Sequence, residues 1–269
     1  MRLGLEGKTA IVTGGSKGIG LETVRLLAEE GVKVLVCSRR EDALAECRAD
    51  VEKTTGVKVE TLSLDVTDLK QIEALPATAR ERLGRVDILV NNAGTGTYKP
   101  FLDVTDEELQ YGMAINFFAQ FRICQRIIPI MVEQNSGSIV NVAGETGIMV
   151  TMPPFLSSCT GPAKSAEIRF SKILANEFGP HNIRVNCVVP GFVNTPERFA
   201  KWERELAKRD LSPEEAEAER KRWSENNSMR NTRWGEPEEL ANLIVFALSD
   251  RASFVNGAVL VADNAQDKS

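Results

Sequence analysis

The sequence has no long hydrophobic run, no excess of basic residues and few cysteines. No apolar stretch approaches the roughly 20 residues that a membrane-spanning helix needs, and no signal-peptide pattern opens the chain. The formal net charge of -5 argues against a nucleic-acid partner, which favours a basic surface. The five cysteines are scattered and lack metal-ligand spacing. We therefore expect reduced thiols, no metal site, no membrane or nucleic-acid partner, and a cytoplasmic location.

Linkers and repeats are missing as well. The chain has 269 residues, 42% of them hydrophobic, which is enough for one large domain with a buried core. No Pro-rich or Ser-rich tract, low-complexity segment or internal period divides it. We therefore expect a single domain over residues 1–269.

Short β-branched runs alternate with helical patterns along the chain. A capping box, Thr105 with Glu108, predicts a helix through Asn116, and another helix is expected to run on from Lys164. This alternation predicts a doubly wound, Rossmann-type α/β fold, with a parallel sheet and helices on both faces. The seven expected strands are 9–13, 33–37, 57–64, 86–90, 138–142, 183–189 and 255–261.

A glycine-rich turn stands between the first strand and the first helix. In such a turn backbone N–H groups approach a pyrophosphate, and the helix N-terminus favours its negative charge. The glycine spacing departs from G-x-G-x-x-G, so the position in the fold carries the inference more than the pattern does. The residues expected to bind cofactor here are Gly14, Ser16, Lys17, Gly18, Ile19 and Gly20.

The end of the second strand bears on the choice of cofactor. An acid there would hold the ribose 2′-hydroxyl of NAD, whereas a cation suits the 2′-phosphate of NADP. The strand is followed by Ser38 and Arg39, and Lys17 lies in the glycine turn. With no acid at this point we favour NADP over NAD. The alternative is that Arg39 and Lys17 are solvated surface cations.

With these features the sequence resembles the short-chain dehydrogenase/reductase superfamily over nearly its whole length. The segment Asn91-Asn92-Ala93-Gly94 is a characteristic motif of that family, and Asn116 matches its active-site asparagine. The resemblance implies a seven-stranded parallel sheet and a homotetramer or homodimer. It also implies further cofactor-binding residues, which are Asp65, Val66, Asn91, Ala93, Gly94, Lys164, Pro190, Gly191, Val193 and Thr195.

Two catalytic residues of the resembled family are replaced. Its members use a serine, a tyrosine and a lysine, the tyrosine four residues before the lysine. Here Lys164 is preceded by Thr160, and Gly144 stands at the serine position. The segment from Gly144 to Lys164 is about three residues longer than usual in that family, and we place the extra length at 152–154. Pro162 falls where the helix should start, so we expect the backbone there to differ.

Three residues, Tyr98, Glu145 and Cys159, are candidates for compensating this loss. Tyr98 follows the Asn-Asn-Ala-Gly motif, and Glu145 is an acid next to Gly144. The plainer interpretations are a loop packing residue and an exposed carboxylate. Cys159 is read as a packing thiol, and His181, the single histidine, as part of a structural turn.

A long charged segment, 196–234, is expected to form a helical lid. Phe199, Trp202 and Leu206 recur at helical spacing, and Ser212 caps a second helix that leads towards Trp223. These aromatic residues either face an apolar substrate, with Trp202 the candidate we name, or pack the lid against the protein or another subunit.

These observations lead to one favoured function and two alternatives. The favoured one is an NADP-dependent oxidoreductase that reduces a small organic carbonyl or activated alkene without the usual tyrosine. Lys164 holds the nicotinamide ribose, Asn116 orders a water or the lysine, Thr160 offers a hydroxyl, and the proton comes from solvent or substrate. The alternatives are a catalytically inactive NADP-binding sensor or scaffold subunit, and a lyase or isomerase.

Overall fold

Seven parallel strands form one twisted sheet, in the order β3-β2-β1-β4-β5-β6-β7. The computed structural model describes residues 2–150, 156–225 and 233–265. The strands are β1 (Thr9–Thr13), β2 (Lys33–Ser38), β3 (Glu60–Ser63), β4 (Ile88–Asn91), β5 (Gly137–Val142), β6 (Ile183–Pro190) and β7 (Val259–Ala262). The predicted doubly wound parallel sheet is confirmed.

The helices of the described residues cover both faces of this sheet. They are α1 (Gly18–Glu29), α2 (Glu41–Thr55), α3 (Leu69–Leu83), α4 (Asp106–Met113), α5 (Ala119–Gln134), α6 (Thr160–Phe178), α7 (Pro196–Leu206), α8 (Pro213–Glu225) and α9 (Pro237–Leu248). A π-helical turn, Ala114–Phe118, joins α4 to α5. None of the helices in the described ranges is long and apolar enough to cross a membrane.

Alternating side chains of the central strands build two cores. In β1, Val12 packs on one side with residues of α1 and α9, whereas Ile11 packs on the other with residues of α3 and α5. Successive strand residues point to opposite faces, so a strand that is covered on both faces is apolar throughout. The carboxyl ends of these strands meet along one edge of the sheet, where a crevice for ligands is expected.

Several element boundaries differ from those predicted. The last strand begins at Val259 rather than at 255, because Asn256 and Gly257 form a turn against β6. Helix α6 begins at Thr160, four residues before the predicted start. Pro162 lies in its first turn, where a backbone N–H has no acceptor within the helix, so the proline is tolerated.

The segment that was predicted to form a lid is partly described. Helices α7 and α8 lie where the two lid helices were predicted, and Ser212 caps α8 through the N–H of Glu215 at 3.2 Å. Phe199 and Trp202 pack together with ring centroids 5.8 Å apart. The side chain of Trp223 and the predicted extra length at 152–154 fall outside the described parts of the chain.

Candidate active site

The turn after β1 requires glycine at two positions. Gly14 has a φ of +62°, and a Cβ there would lie 2.9 Å from Cα of Ala93. A Cβ on Gly20 would lie 2.3 Å from the backbone oxygen of Gly14. The helix therefore starts close beneath the turn. The N–H groups of Gly14 and Gly15 bind the backbone oxygen of Cys37, so the N-terminus of α1 is the part of this loop that suits a phosphate.

A cavity of about 600 Å³ opens beside this turn, and we call it the glycine-loop cavity. Its charged lining is mainly cationic, because Lys17, Arg39, Arg40 and Arg204 all border it. The acid among the described lining residues is Glu197, which lies 3.8 Å from Nζ of Lys17. The predicted cofactor residues that line it are Gly14, Ser16, Lys17, Ser38, Arg39, Val66, Ala93 and Gly94.

Four predicted cofactor residues lie outside the lining of both cavities. Gly18 and Gly20 shape the start of α1. Asp65 caps its own turn, where its side chain accepts hydrogen bonds from the backbone and hydroxyl of Thr67 at 2.8 and 2.7 Å. Asn91 is fully buried and donates to Asn141 at 2.9 Å, which joins β4 to β5 beneath the site.

Asn92 has a role that the sequence did not reveal. Its side-chain amide donates to the backbone oxygens of Thr13 and Gly14 at 3.2 and 3.0 Å. These bonds tie the loop after β4 to the glycine turn. The motif named both asparagines, but the strand geometry decides which of them points to the turn and which points into the core.

A second cavity, of about 220 Å³, adjoins the first, and we call it the lysine cavity. Gly94 borders both cavities. Of the predicted residues, those lining the lysine cavity are Ile19, Gly94, Tyr98, Asn116, Gly144, Glu145, Thr160, Lys164, Pro190, Gly191, Val193 and Thr195. The fold thus brings together residues that are more than a hundred positions apart in the sequence. Trp202 is not among the described residues that line either cavity.

Lys164 is held firmly at the base of the lysine cavity. Its Nζ donates to the backbone oxygen of Val142 at 2.8 Å and to Oε2 of Glu167 at 3.0 Å. An ammonium group has three N–H donors. Two of them are used by protein acceptors, so the third is available to a hydroxyl group bound in the cavity.

Glu167 is a site residue that the sequence analysis did not identify. Its side chain is 0% exposed. Burial raises the pKa of this carboxyl to about 7, while the charge and hydrogen bond of Lys164 act in the opposite direction. An acid three residues after a lysine lies on the same helix face. That spacing was the available signal, but it is common on exposed helices as well.

Asn116 joins two parts of the site wall. It lies in the π-helical turn, where its amide donates to the backbone oxygens of Thr95 and Gly112 at 2.9 Å each, and its Oδ1 accepts from Thr95 N at 3.1 Å. Both amide hydrogens are therefore used within the protein. These bonds hold the loop that contains Gly94 against α4.

Thr160 and Gly144 both line the lysine cavity. The hydroxyl oxygen of Thr160 accepts a hydrogen bond from the backbone N–H of Thr97 at 3.0 Å, so its own hydrogen is free to point elsewhere. At Gly144 a Cβ would meet no atom within 4 Å. The lysine cavity thus has a short aliphatic hydroxyl at Thr160 and open space beside Gly144.

Tyr98 and Glu145 also face the lysine cavity. The ring of Tyr98 is 36% exposed, but its hydroxyl folds back over Gly96. Loss of solvation there raises the pKa of the phenol, and the charge of Glu145 adds to this effect whereas Arg198 opposes it. Glu145 is buried rather than exposed. Both residues therefore border the lysine cavity.

Cys159 and His181 lie apart from this chemistry. Cys159 is buried against Gly112, and His181 belongs to a short 3₁₀ turn in which its ring lies 6.4 Å from that of Phe178. All five cysteines are free and buried.

The comparisons with known proteins agree with this geometry. The family profile for short chain dehydrogenase matches residues 8–206. The chain belongs to the short-chain dehydrogenase family. It is 34% identical over 261 residues to 3-oxoacyl-(acyl-carrier-protein) reductase FabG of Thermotoga maritima, covering 96% of this chain and 97% of FabG.

Solved structures of short-chain dehydrogenases share the whole fold. L-sorbose reductase from Gluconobacter frateurii, complexed with NADPH and L-sorbose, has a TM-score of 0.89 and 31% identity, with full coverage of both chains. NAD⁺-bound xylitol dehydrogenase has a TM-score of 0.83 and 28% identity, covering 97% of this chain and 99% of the other. The family is thus one of oxidoreductases, and its members include users of either nicotinamide cofactor.

Proposed function

We propose that this short-chain dehydrogenase is an NADP-dependent oxidoreductase that reduces a carbonyl or activated alkene without the family's serine and tyrosine. One observation carries the proposal: Lys164 lies in the same cavity as the nicotinamide-side residues Pro190 to Thr195, with Thr160 one helical turn before it. The lysine is buried and has two protein acceptors, which is the arrangement of a positioned group.

The glycine-loop cavity fits a phosphorylated cofactor. Glycines at positions 14 and 20 allow the close backbone packing of a dinucleotide-binding turn, and Arg39 with Lys17 supplies cations for a 2′-phosphate. When bound, NADPH supplies a hydride, which together with one proton converts a carbonyl to an alcohol. The part played by the chain is to bind and orient the two reactants and to exclude water from them.

The residues of the lysine cavity have distinct roles in this proposal. The free N–H of Lys164 binds a ribose hydroxyl, and Thr160 donates a hydrogen bond to the substrate oxygen. An alkyl hydroxyl is far less acidic than a phenol, so Thr160 orients the oxygen while the proton comes from solvent or from a neighbouring hydroxyl of the substrate. A missing general acid lowers the rate by roughly 10² to 10⁴, which leaves a slow but functional enzyme.

The experiment follows a label from the cofactor. NADPH carrying deuterium at C4, prepared as each C4 stereoisomer, is incubated with the protein and a cell extract, and metabolites are analysed by mass spectrometry. Deuterium in one metabolite is expected for the wild type and for Lys172→Ala, an exposed lysine two turns further along α6. Label transfer should be lost in Lys164→Ala. Unchanged transfer in that variant would remove the lysine from the mechanism.

A second candidate is a catalytically inactive NADP-binding sensor or scaffold subunit. The observation that favours it is the threonine four residues before Lys164, since the two tyrosines of the chain lie elsewhere: Tyr98 lines the lysine cavity from the loop after β4, and Tyr111 accepts a hydrogen bond from Arg39. Tight NADPH binding with no deuterium transfer in any extract supports this candidate.

We also propose that the protein is a homodimer or homotetramer in the cytoplasm. An aromatic face formed by Phe117, Phe118, Phe121 and Phe170 supports this, since Phe121 and Phe170 stack at 5.1 Å while Phe121 remains 42% exposed. Sedimentation at micromolar concentration tests it, and Phe121→Glu is expected to yield monomers. The buried free cysteines suit a reducing compartment.

A further inference from the structure

Arg198 brings a second cation to the lysine cavity. It lies in the first turn of α7 and lines the cavity together with Thr160, Lys164 and Tyr98. Its guanidinium carbon stands 5.0 Å from the ring centre of Phe192 and 5.5 Å from that of Trp234. These two rings stack on each other at 5.4 Å, and the guanidinium packs against both of them.

The donors of this guanidinium are not used by the described protein. Its contacts within the described ranges are the two aromatic rings and a hydrogen bond made by the backbone N–H to Thr195. Within those ranges none of its five N–H donors meets an acceptor, and no carboxylate lies within 4 Å of it. Half-buried donors in a binding cavity normally have an acceptor in the protein or in a ligand.

The charge of Arg198 acts on other residues that line the cavity. It lowers the pKa of Tyr98 against the opposing effects of burial and Glu145, so Arg198 and Glu145 flank that phenol with opposite signs. Lys164, which also lines the cavity, is paired with the buried carboxyl of Glu167. A ligand therefore meets a positive end at Arg198 and an acceptor end at Glu145.

We propose that Arg198 binds a carboxylate of the substrate, and that the substrate is a small carbonyl compound bearing a carboxylate. The inference deepens the proposed function and rests on it for the carbonyl group. A planar guanidinium fixed on aromatic rings presents two parallel N–H groups to a carboxylate without losing further side-chain freedom. The volume of about 220 Å³ limits the ligand to a small molecule.

The binding test uses a matched pair of probes, 4-oxopentanoate and its amide 4-oxopentanamide. They have the same size and the same carbonyl, and they differ in charge. Titration calorimetry with NADP⁺ present is expected to show the acid binding at least about 10-fold more tightly than the amide, as a charge-assisted pair of hydrogen bonds implies. Equal affinities for the wild type, or no binding of the acid, would overturn the proposal.

Three variants assign the preference to Arg198. Arg198→Met replaces the arginine by an uncharged side chain of similar length, and the ratio of acid affinity to amide affinity is expected to fall to about one. Arg198→Lys keeps the charge and should retain part of the preference for the acid over the amide. Arg209→Met, an arginine of the lid that pairs with Glu219, should leave it unchanged. Unaltered NADPH affinity in every variant shows that the lid remains folded, and a full ratio in Arg198→Met refutes the assignment.

The result is separable from that for the proposed function. Binding of the acid through Arg198 with no oxidation of NADPH by any oxo acid supports this subsite and counts against reduction. Oxidation of NADPH by neutral ketones with no preference for acids supports reduction and counts against the subsite.

Discussion

Replacing Glu167 by glutamine tests how strongly burial acts on the ion pair beneath the active site. The variant removes a charge that is 0% exposed and lies 3.0 Å from Nζ of Lys164. Glutamine has nearly the same shape, and its amide oxygen still accepts a hydrogen bond from the ammonium group. The change is therefore one of charge, with little change in packing.

The expected magnitude follows from the pKa of Glu167, which burial raises from 4.5 to about 7. Between these two pH values the folded protein binds this proton and the unfolded chain does not. The contribution of Glu167 to the free energy of unfolding therefore falls as pH rises. At about 1.4 kcal/mol per pH unit the fall is about 3 kcal/mol in total. Glutamine does not titrate. The free energy of unfolding of the variant, relative to that of the wild type, therefore rises by about this amount between pH 4.5 and 7 and does not rise further above pH 7.

The assay is urea unfolding at equal protein concentrations from pH 5 to pH 8, followed by far-ultraviolet circular dichroism without cofactor. Leaving Lys164 without its counter-charge adds an offset, so the slope against pH is the diagnostic quantity. Glu177 is an exposed acid on the same helix, and Glu177→Gln is the matched control. Its free energy of unfolding should differ from that of the wild type by the same amount at every pH. If the difference for Glu167→Gln is also independent of pH, burial does not raise the pKa of this carboxyl.

Three further variants test other parts of the site. The double variant Gly144→Ser/Thr160→Tyr should raise kcat/KM for a simple ketone roughly 10²-fold or more in a steady-state NADPH assay, because a positioned phenol contributes roughly 10² to 10⁴. If the double variant is no faster than Gly144→Ser alone, position 160 is not the tyrosine position of the family. Gly20→Ala places a methyl group 2.3 Å from the backbone oxygen of Gly14, so thermal unfolding should show a loss of about 1 to 3 kcal/mol, together with weaker NADPH binding. Arg39→Ala should weaken NADPH about 10-fold and NADH little in fluorescence titrations, and an equal effect on both would argue against a 2′-phosphate contact.

The parts of the fold that the sequence predicts are those that local patterns determine. Strand-helix alternation and the glycine turn depend on neighbouring residues, so the sheet and the position of Gly14 and Gly20 follow from them. The capping boxes at Thr105 and Ser212 likewise fix where α4 and α8 begin. Boundaries failed where a tertiary contact decides, as at the turn of Asn256 against β6.

The site was less predictable, because its members meet only after folding. Lys164 was placed by a motif, but the burial of Glu167 beneath it depends on how α6 packs on the sheet. The orientation of Arg198 depends on the stacking of Phe192 with Trp234, two residues that are 42 positions apart. A sequence pattern gives the order of such residues but not their distances.

The backbone at Gly144 has a consequence for how this active site can vary. Its φ of 177° is extended and suits any amino acid, and a side chain there would meet open space. Glycine is therefore not required at this position by the fold, unlike at positions 14 and 20. A substitution at 144 changes what the cavity recognises at almost no cost to the scaffold, so this wall of the site is free to diverge while the cofactor cradle is not.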